Sequence, residues 1–522
     1  VEASNAINYH NNPYLNLTGK GVLVGILDTG IDYLNTEFQK EDDTTRILRI
    51  WDQTIESEQE IYGLKLGTEY TEEQINEAIR LQKSGGNPYS VVPSRDTVGH
   101  GTMVAGLAAA RGKNPDVLGA APQCSLAIVK LREVNQVILE DAGIDKDNSQ
   151  KYSNVGILCA IRYISLLATD LKMPLVLLIG LGSNIGAHNG RGIVDTYIEG
   201  ISGQAGVIVV TGTGNEGDTD THTEGIISKN GEEQTIEIEV GEKQKSLNFQ
   251  IWVSKPDTMS LSVISPSGES IGYLDPRIEN EHDVKFVYEG TTMNIAYQIP
   301  DNIDGDEKID IKARGLRQGI WKFKLRGDYI VSGKYWAWLP QRFLLEEGTK
   351  FLHPSQYTTL TLPSDTSRAL SVAYYNQNNN ATVSSSGRGY TRDGRKKPDI
   401  AAGGINARVI KLNNGVGVAS GSSVATAVAA GVCAMILEWA VVQKNKEDIY
   451  PKQLISYIIR GAKTRPGDSY PNEEWGYGSL DVTEIFNSIR DVRSSDFRSE
   501  SSNEDLKYDE FYIGGLFIRK PL

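Results

Sequence analysis

Between residues 20 and 210 the chain repeats one pattern four times: a short apolar run that ends in a polar or glycine-rich turn. The runs are GVLVGILD (21–28), CSLAIVKL (124–131), PLVLLIGLG (174–182) and GVIVVTGTG (206–214). Segments of helical character lie between them, at 100–112, 153–171 and 192–204. Short apolar strands separated by helices build βαβ units and a parallel sheet buried on both faces. The expected fold class is therefore α/β, a parallel sheet with helices on both faces. Sites in such sheets form beyond the carboxyl ends of the strands. Asp28 and the TGTGN segment both fall there.

From about residue 222 to 354 the texture changes. QTIEIEV, SLNFQIWVS, VKFVYEG, MNIAYQI and IWKFKLRG alternate polar with apolar or aromatic residues, interrupted by Asp, Gly and Pro. That alternation predicts an inserted antiparallel β-sandwich or jelly roll. YTTLTL (357–362) and ALSVAYYN (369–376) read as further strands, followed by a helix reaching about Gln443 and another at 451–463. The expected domains are 1–222 and 356–490, two parts of one α/β domain, with the insert at 223–355 and a C-terminal extension at 491–522. The polar stretch 490–510 is expected to be mobile, and the apolar end FYIGGLFIRKPL to dock back onto the body.

With 522 residues the chain exceeds one average domain. A net charge of −14 argues against nucleic-acid or anionic-membrane partners. No run of about 18 apolar residues is apparent, so no membrane span is expected. The opening VEASNAINYHNN lacks the basic and apolar regions of a signal peptide, and its missing Met fits a processed or trimmed chain. Cys124, Cys159 and Cys433 sit in apolar or small-residue sequence and read as buried reduced thiols. No Cys or His spacing suggests zinc, and no cofactor or metal is expected.

VASGSSVATAVAAG (418–431) carries three serines among small residues. Alone, it reads first as helix-packing surface, the usual role of small residues at close spacing, and only second as a nucleophile. Acyl transfer to serine needs a hydroxyl, a base, a carboxylate orienting that base, and donors for the oxyanion. Of six histidines, His10, His222, His282 and His353 lie in polar sequence and are expected at the surface. His188, after a strand end, remains open. His100 is flanked by glycines and opens a small-residue helix. Asp28 ends an apolar strand, a position that equally suits a turn cap. Asn215 ends TGTGN, where an amide can donate to developing charge or simply complete a turn.

In combination these segments carry a specific resemblance. ILDTGID, GHGTMVAGLAA, GTGNEG and GSSVATAVAAG, in that order, with KPDIAAGG (397–404) before the last, resemble the motifs of the subtilisin-like serine proteases. The resemblance covers roughly 15–222 and 356–490. It implies Ser423 as nucleophile, His100 as base, Asp28 as its orienter, and Asn215 with the Ser423 N–H as oxyanion hole. Ser422 stands where the family has threonine, and Ser420 lies outside the motif. Gly180-Leu181-Gly182 resembles the Ser-Leu-Gly strand that pairs with substrate and walls S1, and Tyr152, with Lys151 and Ser153, the opposite strand. Such pairing reads an extended peptide. Gly180 in place of serine, and Glu216 beside Asn215, are candidates for shaping S1.

The chain also departs from the family. Ala427 replaces a proline, Val424 replaces a methionine, and ARGKNPDVLGAAP has no room for an Asn-rich calcium loop. The long segment between Asp28 and His100, the β-insert and the closing GGLFIRKPL resemble a clostridial branch that includes the Csp proteases of spore germination. That implies limited proteolysis of a protein precursor, a self-cleaved propeptide as a partner, and a spore location. Outside that branch, a cytoplasmic or exported enzyme fits equally. The rivals are a silent, subtilase-like scaffold or a binding protein acting through the insert. A serine esterase would need a Gly-x-Ser-x-Gly elbow and a last-placed histidine, which this chain lacks.

Overall fold

The computed structural model describes residues 1–144, 150–278 and 280–499. The first half alternates strand and helix. β1 (Leu23–Asp28), β2 (Ile47–Asp52) and β3 (Thr68–Thr71) precede α1 (Glu72–Lys83) and α2 (His100–Ala109). β4 (Ser125–Lys130), α3 (Gln136–Asp141), α4 (Asn154–Leu171), β5 (Leu175–Ile179), α5 (Ile193–Ile201) and β6 (Val207–Gly212) follow. Ten strands come next: β7 (His222–Ile226), β8 (Glu233–Val240), β9 (Ser246–Val253), β10 (Thr258–Ile264), β11 (Asn280–Phe286), β12 (Thr291–Gln298), β13 (Glu307–Arg314), β14 (Gly319–Tyr329), β15 (Lys334–Trp338) and β16 (Lys350–Phe351). The chain then returns through β17 (Ala369–Asn376), β18 (Ala381–Thr382), β19 (Ile400–Gly403), the hairpin β20 (Ala407–Lys411) and β21 (Gly415–Ala419), and α6 (Ser422–Leu437). It closes with α7 (Pro451–Arg460) and α8 (Val482–Ser499).

Nine strands form the main sheet in the order β18-β17-β6-β5-β1-β4-β2-β3, with β19 beside β17. All its pairings are parallel except β2–β3 and β17–β18. β1 is central, and all six of its residues are buried. Its side chains alternate between two cores, as a strand with a two-residue period must. Val24 and Ile26 join the core under α2 and α6, whereas Leu23 and Leu27 join the core under α4. The observed class is thus a mixed, mostly parallel sheet flanked by helices, with separate antiparallel sheets.

Those separate sheets are a four-stranded one, β10-β14-β8-β16, and a six-stranded one, β11-β12-β13-β9-β15-β7. One hydrophobic cluster draws on both, including Ile238, Phe249, Leu261, Ile295 and Trp321. No closure into a barrel or jelly roll is present among the described residues. The hairpin β20–β21 stands alone.

Four expectations need correction. YTTLTL is not a strand: only Leu362 bridges, to Ser183. α8 reaches Ser499, so the start of the stretch expected to be mobile is helical. The rest of that stretch, and the apolar end, lie outside the described residues. Two helical runs, 154–171 and 422–442, are as long and apolar as a membrane span, against the sequence expectation. The second is 94% buried in the core, as a helix apolar all round must be. Finally, Cys159 is only half-buried, although Cys124 and Cys433 are buried, and all three are free thiols.

Candidate active site

The carboxyl ends of β1, β5 and β6 converge with the N-terminus of α6. Asp28, the last residue of β1, is fully buried. His100 opens α2, whose approach depends on Gly101: a Cβ there would sit 2.1 Å from the Gly30 carbonyl. His100 Nδ1 lies 2.8 and 2.9 Å from the two Asp28 oxygens, and Nε2 lies 3.1 Å from Ser423 Oγ. With Asp28 accepting from Nδ1–H, Nε2 is the free acceptor for the Ser423 hydroxyl. Burial pulls the His100 pKa down, but the charge and hydrogen bond of Asp28 and the nearby charge of Asp96 outweigh it. The net shift is upward.

The three serines of the small-residue segment separate by their partners. Ser420 Oγ accepts from the Asn406 N–H at 2.9 Å, at the end of the β20–β21 hairpin. Ser422 ties α6 to the segment after β6: its Oγ accepts from the Gly214 N–H at 3.1 Å, and its N–H donates to Asn215 Oδ1 at 3.0 Å. Ser423 alone faces the imidazole. Its N–H lies in the first helical turn, where amides lack intrahelical acceptors and the dipole favours negative charge. Asn215 is exposed, and its Nδ2 donates to no protein group among the described residues. α6 runs unbroken through Ala427, and Val424 is buried.

Gly180 sits at the centre of this cluster. A Cβ on it would lie 3.6 Å from Asp28 Oδ2, 3.8 Å from His100 Cε1 and 3.8 Å from Ser423 Oγ. Leu181 packs partly into the core under α4, and Gly182 is exposed. Tyr152 pairs with Glu133 across a short antiparallel bridge. Burial raises its phenol pKa, and the charge of Asp28 adds to that. The structure therefore brings Asp28, His100, Ser423, Asn215 and Gly180 together, with Tyr152 close enough to sense Asp28.

Other histidines behave differently from expectation. His188 is buried and stacks on Trp338 of β15 with ring centroids 4.0 Å apart, and burial pulls its pKa down to about 3. His222 is also buried, not at the surface, and stacks on Trp338 at 4.5 Å. His10 is buried too, with Nε2 2.9 Å from the Ala120 carbonyl. Their polar sequence neighbours gave no sign of these long-range aromatic and backbone partners. His353 is exposed, as expected.

Three further residues escaped the sequence reading. Asp96 accepts from the N–H groups of Val98, Gly99 and Thr102 and from the hydroxyls of Thr29 and Thr102, fixing the turn that presents His100. An Asp just before a helix start was the available signal. Gln341 Nε2 donates to the Gly182 carbonyl at 2.5 Å. Thr361 donates its N–H to Thr213, while Leu362 and Ser183 exchange backbone hydrogen bonds. The two residues thus join the segments after β5 and β6. The Thr361 hydroxyl is buried without a partner.

Glu216 is buried and accepts from Asn184, Thr219, Thr221 and the Arg342 N–H. Among the described residues no three His, Cys, Asp or Glu side chains gather as a metal group would require. After α2, the Glu37 carboxylate accepts from the N–H groups of Gly112, Lys113 and Asn114.

A carboxylate, imidazole and hydroxyl in line can draw a proton from the hydroxyl as it attacks an electrophile. The subtilase family model matches residues 19–247 and 350–478. The chain belongs to the subtilase family. It is thereby classed as a subtilisin-like serine endopeptidase, whose substrates are proteins. The Arabidopsis thaliana subtilisin-like protease SBT6.1 is 30% identical over 177 residues, 32% of this chain and 16% of that relative. The matched stretch is thus a small part of that protein. The structure of the Clostridium perfringens CspB protease superposes with a TM-score of 0.83 at 30% identity. That superposition covers 94% of this subtilase and 97% of the other chain, so the likeness includes the β-insert.

Proposed function

We propose that this subtilase cleaves a protein precursor by acyl transfer through Ser423. The observation that carries the reading is the unbroken hydrogen-bonded line from Asp28 through His100 to Ser423 Oγ. His100 Nε2 takes the hydroxyl proton as Oγ bonds to the scissile carbonyl carbon. Negative charge then moves to the carbonyl oxygen, where the Ser423 N–H and Asn215 Nδ2 donate to it. His100 returns the proton to the leaving amine, whose C–N bond breaks to give the acyl-enzyme. A water, deprotonated by the same nitrogen, releases the new carboxylate. Asp28 keeps the ring in the required tautomer and stabilises its cationic form.

Substrate binds as an extended peptide, between Gly180–Gly182 on one side and Tyr152 on the other. Gly180 and Glu216 shape S1. The insert, 223–355, is a two-sheet sandwich that forms a domain of its own between the two parts of the α/β domain, 1–222 and 356–490. The similarity to a CspB protease supports limited proteolysis in a spore, with a cortex-lytic hydrolase precursor as substrate class and a self-cleaved propeptide as a second partner.

Hydrolysis of fluorescein-labelled casein tests the reading. Ser423→Ala is expected to lower kcat by at least about 10⁴-fold, and Ser422→Ala far less. Equal losses in both variants would overturn it.

A further inference from the structure

The bridge between Glu133 and Tyr152 is linked through α3 to the β-insert. Glu133 pairs with Tyr152, and the Val134 N–H donates to the Lys151 carbonyl at 2.9 Å. Two residues later α3 begins, capped by Asn135. A helix of this length has few internal hydrogen bonds, and its last carbonyls need outside donors. The insert supplies them. Arg314, the last residue of β13, donates through Nη2 to the carbonyls of Glu140 and Asp141, both at 2.9 Å. Asn248, on neighbouring β9, donates to the Asp141 carbonyl at 2.6 Å and receives Arg314 Nη1 at 2.7 Å.

Contact at this point is intimate. Gly143 (φ +69°) follows α3, and a Cβ there would lie 2.6 Å from Asn248 Oδ1 and 2.9 Å from the Asn248 backbone nitrogen. Lys312 adds a weaker attraction, with Nζ 3.5 Å from Asp141 Oδ1. The Glu140 carbonyl also accepts from the Gly143 N–H at 3.1 Å, whereas the Asp141 carbonyl takes its donors from the insert, and a cationic fork at a helix C-terminus complements the dipole. Meanwhile Val137 and Ile138 on α3 are exposed, so packing of those two side chains does not fix the helix. Leu139 is the buried side chain of the helix, and the polar fork fixes its C-terminal end.

We propose that Arg314 and Asn248 are positioning residues for peptide recognition: they hold α3, and through it the Glu133–Tyr152 pair, at the spacing an extended substrate needs. This rests on the reading of Tyr152 as part of the substrate-binding strand. The insert then acts on KM for a polypeptide, and leaves the chemistry at Ser423 alone.

The test compares the full-length wild type with Arg314→Ala, Arg314→Lys and Asn248→Ala. Amide hydrogen exchange at Val134, Ala142, Gly143 and Ile144, whose N–H groups are bonded in the native fold, reads the clamp directly. Labelled casein reads recognition, and the rate of labelling by a fluorophosphonate, which makes no peptide contacts, reads the chemistry. Arg314→Ala is expected to speed exchange at these amides at least 10-fold and raise KM for casein about 10-fold. The labelling rate and kcat should stay within 2-fold. Asn248→Ala, which leaves β9 intact, shifts the same readouts less, and Arg314→Lys falls between. Unchanged exchange and unchanged KM would overturn the proposal, as would a loss of labelling that matches the loss of casein cleavage. If wild type itself fails to label, the protease reading falls, while the exchange comparison still decides the clamp.

Discussion

At the scale of single residues, the proposed acyl transfer depends on His100 being neutral at the working pH. Its pKa is raised, so protonation removes the base at a pH higher than for a free imidazole. The acid limb of kcat/KM for casein is therefore expected to have its midpoint above 6.5. The sign for stability is opposite to that for activity. The Asp28–His100⁺ pair stabilises the fold fully below the unfolded-state pKa and loses that contribution as pH rises through the folded one. Asp28→Asn removes the largest raising influence and leaves burial opposed only by the charge of Asp96, so the midpoint should move down while kcat falls about 10⁴-fold. A midpoint that does not move would mean that the raised pKa has another source.

The same scale shows what a sequence exposes. Asp28, His100, Asn215 and Ser423 each sit in a short stretch with its own pattern, and their order along the chain made the set readable. Gln341 was hidden because its partner is a backbone carbonyl with no recognisable motif, whereas Asp96 carried a local signal, an Asp just before a helix start.

At the scale of elements, the buried strands β1, β4, β5 and β6 were legible because a strand covered on both faces must be a continuous apolar run. YTTLTL has the same composition as a strand, but its backbone is spent on joining the segments after β5 and β6. His222 was misread because β7 lies between β15 and solvent-facing sequence, and its ring partner Trp338 comes 116 positions later.

Such long-range partners concentrate where the elements of the insert meet the α/β body. Arg392 is almost fully buried there. It pairs with Asp304 at 3.0 Å and Asp306 at 2.5 Å, and its guanidinium lies 5.0 and 5.4 Å from the rings of Trp252 and Trp336. Asn189 donates to the same Asp304 carboxylate. Removing one member of a buried pair strands the other charge. Arg392→Ala is therefore expected to lower the unfolding free energy by about 3–5 kcal/mol, read as a shift in the urea midpoint. A loss below about 1 kcal/mol would show that water reaches the site freely.

At the scale of the whole molecule, several contacts bind the insert to the body. They include the Arg392 pairs, the His188–Trp338–His222 stack and the Gln341–Gly182 hydrogen bond. Interfaces within a chain that are small and polar let domains move and melt separately. This one buries charge and three tryptophans, Trp252, Trp336 and Trp338. Calorimetry is accordingly expected to show one unfolding transition, and Arg392→Ala to split it or lower it as a whole. Two transitions in the wild type would contradict that coupling.

Separate antiparallel sheets were legible from the alternating strands, but the absence of jelly-roll closure and the pairing order were not. Pairing order depends on contacts such as β9 with β13, which lie about 60 residues apart in sequence. Local periodicity says nothing about them.

The proposed chemistry makes Ser423, activated by His100 and Asp28, the nucleophile. Reaction with a fluorophosphonate, followed by mass spectrometry of the digested protein, tests it most directly. A single adduct is expected on the peptide containing Ser423, retained in Ser422→Ala and absent in Ser423→Ala and His100→Ala. An adduct on any other residue, or none on a folded wild-type chain, would contradict it.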